Sequence, residues 1–293
     1  MILVTGATGS IGRHLVRELL ERDLPVRAFV RDAAKGRALG CEFAVGDLDD
    51  LSSLATALKG VDRVFLNTGG VVPVDGEQPM VRQQRTAIDL AREAGVSQVV
   101  KLSVWQPGPG GKLSVGAHWA IERHLKESGP PWTILQPNAF MQNFLTGQAA
   151  FTMNGDLHGA YGDGRMSYID CADIAACAAR LLADGGGIGE TYALSGPEAL
   201  DHHTVAARLS ATIGRTVRYV DHAPEEFASI LTAQGVPAWF AADAAALYAD
   251  TAAGQLAATT SAVRDLTGRD PRTFDEFLMA NRDRLRAATH LGR

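Results

Sequence analysis

Residues 1–12 read MILVTGATGSIG. Positions 1–5 are apolar up to Thr5, as a short buried strand requires, and the next residues place glycine at 6, 9 and 12 with Thr8, Ser10 and Ile11 between them. From Ile11 onward the apolar residues Leu15, Leu19 and Leu20 fall on one face of a helix over 11–22. Glycines at this spacing between a strand and a helix let the chain turn tightly, bring backbone N–H groups up to a pyrophosphate, and let helix and strand pack closely. The start of the helix then favours the anion. Gly6, Thr8, Gly9, Ser10, Ile11 and Gly12 are therefore expected to cradle a dinucleotide.

The rest of the chain extends this beginning into a sheet. Apolar segments at 26–30, 42–46, 63–68, 99–103 and 132–136 read as strands, and helix-length segments such as 79–94 and 117–128 lie between them. Strands that are apolar nearly throughout, each followed by a helix, indicate a parallel sheet covered on both faces. The predicted class is α/β, a Rossmann-type doubly wound parallel sheet with a smaller, mostly helical C-terminal substrate lobe. After Pro137 the loops lengthen. RMSYID at 165–170 and ETYALS at 190–195 are expected to rejoin the sheet, around an Ala-rich helix near 171–183. The expected division is a dinucleotide-binding domain at 1–196, with an excursion at about 141–164, and a lobe at 197–293. Thr273 and Glu276 have the spacing of a capping box for a final helix.

The end of the second strand sets the cofactor preference. An acidic residue there would hold the ribose hydroxyls of NAD; this chain has Arg31, then Asp32, with Lys35 following. A guanidinium paired with a 2′-phosphate favours NADPH, whereas Asp32 turned to the ribose would favour NAD. After the third strand, Asp47 and Leu48 either hold the adenine edge or serve the next helix, Asp47 as its cap. Asn67, Thr68 and Gly69 follow the fourth strand at the carboxyl edge, where open α/β sheets bind ligands.

Composition narrows the function classes. The 293 residues carry 28 Lys and Arg against 33 Asp and Glu, a net charge of −5. No basic run offers the surface that phosphate backbones need, so a nucleic-acid partner is not expected. No apolar stretch approaches the ~20 residues of a membrane span. Cys41, Cys171 and Cys177 are too few and scattered for a disulfide framework or a metal site. Adjacent His202 and His203 diverge on a helix and find no third ligand at a useful spacing. These features point to a cytoplasmic protein with a small-molecule partner and no metal, in an oligomeric state that the sequence leaves open.

TGATGSIG, the Arg31–Asp32 pair, Gly46-Asp47-Leu48, KLSVW at 101–105, SGPPWTILQPNAFMQN at 128–143, YIDCADIA at 168–175 and TGRDPRTFDEF at 267–277 together resemble the NmrA-like group of atypical short-chain dehydrogenase/reductases. The resemblance spans nearly the whole chain. It implies an NADP(H)-binding domain with a smaller lobe over the nicotinamide, and likeness to bacterial NADPH quinone oxidoreductases; other members of the group are redox-sensing regulators without catalysis. Better-known enzymes of the wider superfamily use a Ser after the fifth strand and a Tyr-x-x-x-Lys pair on the next helix. Ser103 matches the first. The helix carries His118 and Glu122 where the phenol and ammonium would stand. These two share a helical face, so the carboxylate is expected to orient the imidazole and favour its charged form.

The missing phenol bears on the substrate. Hydride addition to a quinone, or to a ketone conjugated with an ortho phenol, leaves a delocalised anion of phenol-like basicity, with a pKa of ~10, which needs little help to gain a proton. An isolated aliphatic ketone would need a positioned acid. The expectation is an NADPH-dependent oxidoreductase for quinones or polycyclic aromatic ketones, with Ser103, His118 and Glu122 as its catalytic residues; the alternative is an NADP(H)-sensing regulator. Ser103, Pro137 and Asn138 are expected to contact the cofactor, with Asn138 as a polar handle near its nicotinamide end. Trp105, His118, Phe140, Met141 and Phe144 are candidates for the aromatic substrate, with Gln142 and Asn143 as polar handles and Trp239 and Phe240 as a roof. Tyr161 and Tyr168 are further candidate acids.

Overall fold

A computed structural model describes residues 1–146, 151–152 and 154–288. By its internal contacts the chain forms two compact units. The first comprises Met1–Pro137, Cys171–Ala193 and Ala262–Arg269; the second comprises Asn138–Asp170, Leu194–Ser261 and Asp270–Arg293. The chain thus passes between units five times, where the sequence suggested a main boundary at 196/197 and one excursion. Residues 147–150 and 153 of that excursion lie outside the described residues.

In the first unit, β1 (Ile2–Val4) leads to α1 (Ser10–Leu20), β2 (Val26–Val30), α2 (Ala33–Arg37), β3 (Glu42–Val45) and α3 (Leu51–Ala57). Then come β4 (Arg63–Leu66), α4 (Pro79–Glu93), β5 (Gln98–Leu102), α5 (Leu113–Ser128) and β6 (Trp132–Pro137). The chain leaves through α6 (Asn143–Thr146), β7 (Leu157–Gly159) and β8 (Arg165–Met166), and returns with α7 (Cys171–Asp184) and β9 (Thr191–Leu194). The seven-stranded sheet has the order β3-β2-β1-β4-β5-β6-β9. Its pairs from β3 to β6 are parallel, with Ile2 opposite Val26 on one side and Arg63 on the other. This is the expected doubly wound sheet. Strand order reverses between β1 and β4, which opens a crevice at their carboxyl ends.

Burial explains the elements. All three residues of β1 are buried, and α1 buries Ile11, Leu15, Val16 and Leu19. One core joins Leu3, Val64, Leu66 and Val99 of the strands to Ile88 of α4 and Ile121 and Leu125 of α5. Helix α5 begins four residues before the predicted 117, and Gly129, in the left-handed region at φ +100°, ends it.

The second unit is mostly helical, as expected: α8 (His202–Ile213), α9 (Pro224–Ala233), α10 (Ala238–Ala252), α12 (Phe274–Ala280) and α13 (Arg282–Ala288) belong to it, while α11 (Ala262–Thr267) belongs to the first. The expectation that 165–170 rejoins the main sheet is corrected: β8 pairs antiparallel with β10 (Leu200–Asp201), and β7 pairs with β11 (Tyr219–Asp221). After Met166, the Ser167 N–H bonds to the Leu256 carbonyl, so the segment finds its partner inside the second unit. The capping box forms as read, Thr273 Oγ1 accepting from the Glu276 N–H and Glu276 Oε2 from the Thr273 N–H. No described helix is long and apolar enough to cross a membrane.

Candidate active site

The glycine turn stands at the crevice between β1 and β4. Gly6 has φ +62°, and a Cβ there would lie 3.0 Å from Asn67 Nδ2. Gly12 is still more constrained, since its Cβ would lie 2.2 Å from the Gly6 carbonyl oxygen. Thr5 fastens the two strand ends: its hydroxyl donates to the Asn67 carbonyl at 2.7 Å and accepts from the Asn67 N–H at 2.8 Å. Helix α1 starts from Gly9 with no side-chain cap and no acidic residue in its first turn. Its leading N–H groups and positive dipole end are left for an anionic ligand.

At the end of β2, Asp32 caps α2, its Oδ1 accepting from the N–H groups of Ala34 at 2.7 Å and Lys35 at 3.3 Å. Arg31 is exposed and has no hydrogen bond or ion pair among the described residues. Lys35 is exposed nearby. After β3, it is Asp50 that caps α3, through the N–H groups of Ser52 and Ser53. Asp47 is thereby released from the capping role considered above. Among the described residues its Oδ1 accepts only from the Asp49 N–H, and the half-buried Leu48 packs on the core. Beyond β4, Thr68 Oγ1 accepts from Nε2 of the buried Gln84, while Gly69 is open to solvent.

The polar side chains between β5 and α5 are buried. Ser103 donates to Glu122 Oε1 at 2.5 Å, and Gln136 Nε2 on β6 donates to both Glu122 oxygens, at 2.9 and 3.1 Å. Lys126 approaches Glu122 Oε2 at 3.5 Å. Glu122 therefore does not orient His118. The partner of His118 is Lys101, whose Nζ lies 2.8 Å from Nδ1 and also donates to the Leu102 carbonyl at 2.9 Å. The expectation of an imidazole held in its charged form is corrected: burial first, and the Lys101 charge second, push the His118 pKa well below its ordinary value. Burial also lowers Lys101 to about 7, against the opposing pull of Glu122. An ammonium is thus present beside His118, but it comes from the strand rather than from the helix.

Most of the remaining substrate and cofactor candidates belong to the second unit. Asn138 spends both amide hydrogens on Ser167 Oγ and the Leu256 carbonyl, and its Oδ1 accepts from the Ala139 N–H. It ties loops of the second unit together, and its donors are not left for a cofactor. Pro137 is the last residue of β6. Met141 and Phe144 belong to the core of the second unit, Phe144 packing edge-on to Phe274. Phe140 bridges to Ile169, and Gln142 Nε2 donates to Asp170, which also pairs with Arg272. Asn143 opens α6. Trp105 is buried. Trp239 is 42% exposed on α10, its ring 5.5 Å from that of the half-buried Phe240. Neither tyrosine is fit to be an acid at neutral pH. Tyr168 is bonded to His202 Nε2 at 2.9 Å, Tyr161 stacks on the His202 ring at 3.8 Å, and loss of solvent raises both phenols well above their ordinary value. No cluster of metal-ligating side chains occurs among the described residues, and burial raises the Cys177 thiol to about 12.

Thr5, Gln84, Lys101 and Gln136 were not among the sequence candidates. For two of them a signal was available. Lys101 is a lone charge inside an apolar strand, in phase with Ser103, and Gln84 interrupts the apolar face of α4 formed by Met80, Val81, Ala87, Ile88 and Ala91.

The profile of the NmrA-like family matches residues 1–278. An NAD(P)H azoreductase of Xenophilus azovorans is 40% identical over 286 residues, covering 96% of this chain and 98% of that protein. The crystal structure of the Escherichia coli NADPH-dependent quinone oxidoreductase in complex with NADPH superposes with a TM-score of 0.81 at 28% identity, over the full length of both chains. Triphenylmethane reductase of Citrobacter sp. complexed with NADP(H) gives 0.80 at 25% identity, covering 96% of this chain and all of that one.

Proposed function

This chain belongs to the NmrA-like family, and from that premise we propose that it passes a hydride from NADPH to a quinone or a polycyclic aromatic ketone, without a Tyr–Lys pair on α5. It is an NAD(P)H-dependent oxidoreductase. The observation that carries the reading is the uncapped start of α1 above the Gly6–Gly12 contact, with the unengaged Arg31 at the end of the neighbouring strand β2. The first provides N–H donors for a pyrophosphate, and the second a guanidinium for a 2′-phosphate. Asp32 is occupied with its helix cap, which favours NADPH over NAD. Asp47 and Leu48 are assigned to the adenine edge, and Asn67, Thr68 and Gly69 to the crevice.

NADPH, when bound, supplies the hydride. The chain's own part is to hold it and to manage the proton. Ser103 commits its hydroxyl hydrogen to Glu122, so in this network it cannot also donate to a carbonyl. His118, 9% exposed, has a second ring nitrogen with no protein partner among the described residues, and it is the proton donor of this reading. Quinones and conjugated aromatic ketones suit such a site, because the anion they form is weakly basic.

The test is to follow loss of the reduced nicotinamide absorbance band with a panel of quinones, hydroxylated aromatic ketones and aliphatic ketones. Turnover of the first two classes well above the third is expected. Tight NADPH binding with no turnover of any class would replace this reading by that of an NADP(H)-sensing regulator.

A further inference from the structure

Lys101 and His118 meet inside the first unit, and the geometry at their contact fixes more than a packing arrangement. Lys101 is fully buried, and its ammonium has donors only. With Nζ 2.8 Å from Nδ1 and 2.9 Å from the Leu102 carbonyl, the charged lysine requires a lone pair on Nδ1. A neutral imidazole that accepts at Nδ1 carries its proton on Nε2, the nitrogen without a protein partner. We propose that Lys101 acts through His118 as a two-step proton relay, in which Nε2–H is given to the substrate oxygen while Nζ–H replaces it at Nδ1. This rests on the reductase reading above and identifies the source of the proton that the reading requires.

The bonds balance. As the hydride forms its bond to substrate carbon, an electron pair is left on the substrate oxygen. That pair forms an O–H bond with the Nε2 proton, the Nε2–H bond breaks, and an Nδ1–H bond forms with a proton from Nζ. The imidazole ends neutral in its other tautomer, and Lys101 ends as a neutral amine. One proton from water restores the ammonium and the first tautomer. No imidazolium is required at any point, which agrees with an environment that disfavours one.

The charges around Lys101 suit the task. Glu122 of α5 attracts the ammonium, Lys126 of the same helix opposes it, and the groups that β5 and β6 add to the network, Ser103 and Gln136, are neutral and spend their donors on Glu122. Burial lowers Lys101 from the ordinary lysine value to about 7. A lysine of that acidity is readily recharged near neutral pH and is a stronger acid than the phenol-like product anion's conjugate acid, at ~10. A lysine of ordinary pKa would not be.

The experiment uses the full chain labelled with 15N at histidine, without cofactor, so its first readout is independent of activity. The expected spectrum assigns His118 as the Nε2–H tautomer at about pH 6, with its nitrogens shifting through a single step near pH 7 as Lys101 loses its charge. In Lys101→Met, which removes the charge at nearly equal length, that step should vanish. In steady-state assays, the kcat for an aromatic ketone should fall above an apparent pKa near 7 in the native protein. In a folded Lys101→Met variant kcat should fall at least tenfold and lose that limb, with the substrate KM little changed. An Nδ1–H tautomer at about pH 6, or an unaltered pH profile in the folded variant, overturns the relay. Should Lys101→Met fail to fold, the tautomer and titration of the native protein decide the matter alone. Absence of turnover with every quinone and ketone, beside the expected tautomer and step, would instead sink the reductase reading.

Discussion

The Cα of Gly12 faces the carbonyl oxygen of Gly6 so closely that a methyl group at position 12 would stand 2.2 Å from it. That contact sets how the first turn of α1 meets the end of β1. Gly12→Ala must push the helix start away from the turn, and overpacking of this kind costs roughly 1–3 kcal/mol. The same displacement moves the N–H groups assigned to the pyrophosphate. Chemical denaturation should show the stability loss, and titration should show NADPH bound at least about tenfold more weakly, equivalent to ~1.4 kcal/mol. Native affinity in a folded Gly12→Ala protein would remove the glycine turn from the cofactor site.

Arg31 and Asp32 are adjacent in sequence but differ in engagement, one without a partner among the described residues and one bound into a helix cap. Arg31→Ala should weaken NADPH by about 1.5–3 kcal/mol, the range of a hydrogen bond to a charged group, and leave NADH nearly unchanged. Equal losses for both cofactors in parallel titrations would reject the assignment to the 2′-phosphate. Asp32→Ala, by contrast, removes a cap and should appear first as lost stability, of about 1 kcal/mol.

The aspartates after β3 divide in the same way. Asp50 holds the Ser52 and Ser53 N–H groups at the start of α3, whereas Asp47 makes a single side-chain bond to the Asp49 N–H. Asp50→Ala should therefore lower the midpoint of chemical denaturation and leave NADPH affinity intact. Asp47→Ala should do the reverse. A reversed pattern of losses would return Asp47 to the structural role and take the adenine edge away from it.

These contrasts show where the sequence was legible. Strand positions followed from runs such as Val26–Val30, because a parallel sheet covered on both faces demands apolar residues throughout, and residue pattern alone reports that demand. The glycine turn was legible because it depends on backbone shape. The network under α5 was not. Residues i and i+4 on one helix suggested a His118–Glu122 pair, yet each found a different partner across the helix–sheet interface, Lys101 and Ser103, brought there by strand register. Asp47 and Asp50 were ambiguous for a similar reason, since either could precede α3 and only the backbone angles at the helix start choose between them. The loop role of Asn138 depends on Leu256, 118 residues away, and no local pattern announces it.

His202 of the second unit gives a pH-dependent test of stability. Its ring is stacked on Tyr161 and bonded through Nε2 to Tyr168, with Nδ1 buried and unpartnered. Burial lowers its pKa from 6.5 to about 4. Between those values the unfolded chain binds a proton that the folded protein refuses, so stability is full above about pH 6.5 and is lost as the pH falls toward about 4. On lowering the pH from about 7.5 to about 4.5, this one group should remove roughly 2–3 kcal/mol. His118 and His158, whose pKa values are also lowered mainly by burial, act with the same sign, so the total loss is larger. His202→Phe keeps a flat ring against Tyr161 and removes the titrating group. It leaves the Tyr168 hydroxyl without its acceptor, which lowers stability by a similar amount at both pH values. Denaturation curves of the variant should therefore begin lower than those of the native protein at about pH 7.5 and converge toward them at about pH 4.5. Curves that stay parallel across that range would show that His202 accepts a proton as readily folded as unfolded, and that the Tyr161–His202–Tyr168 cluster is open to water.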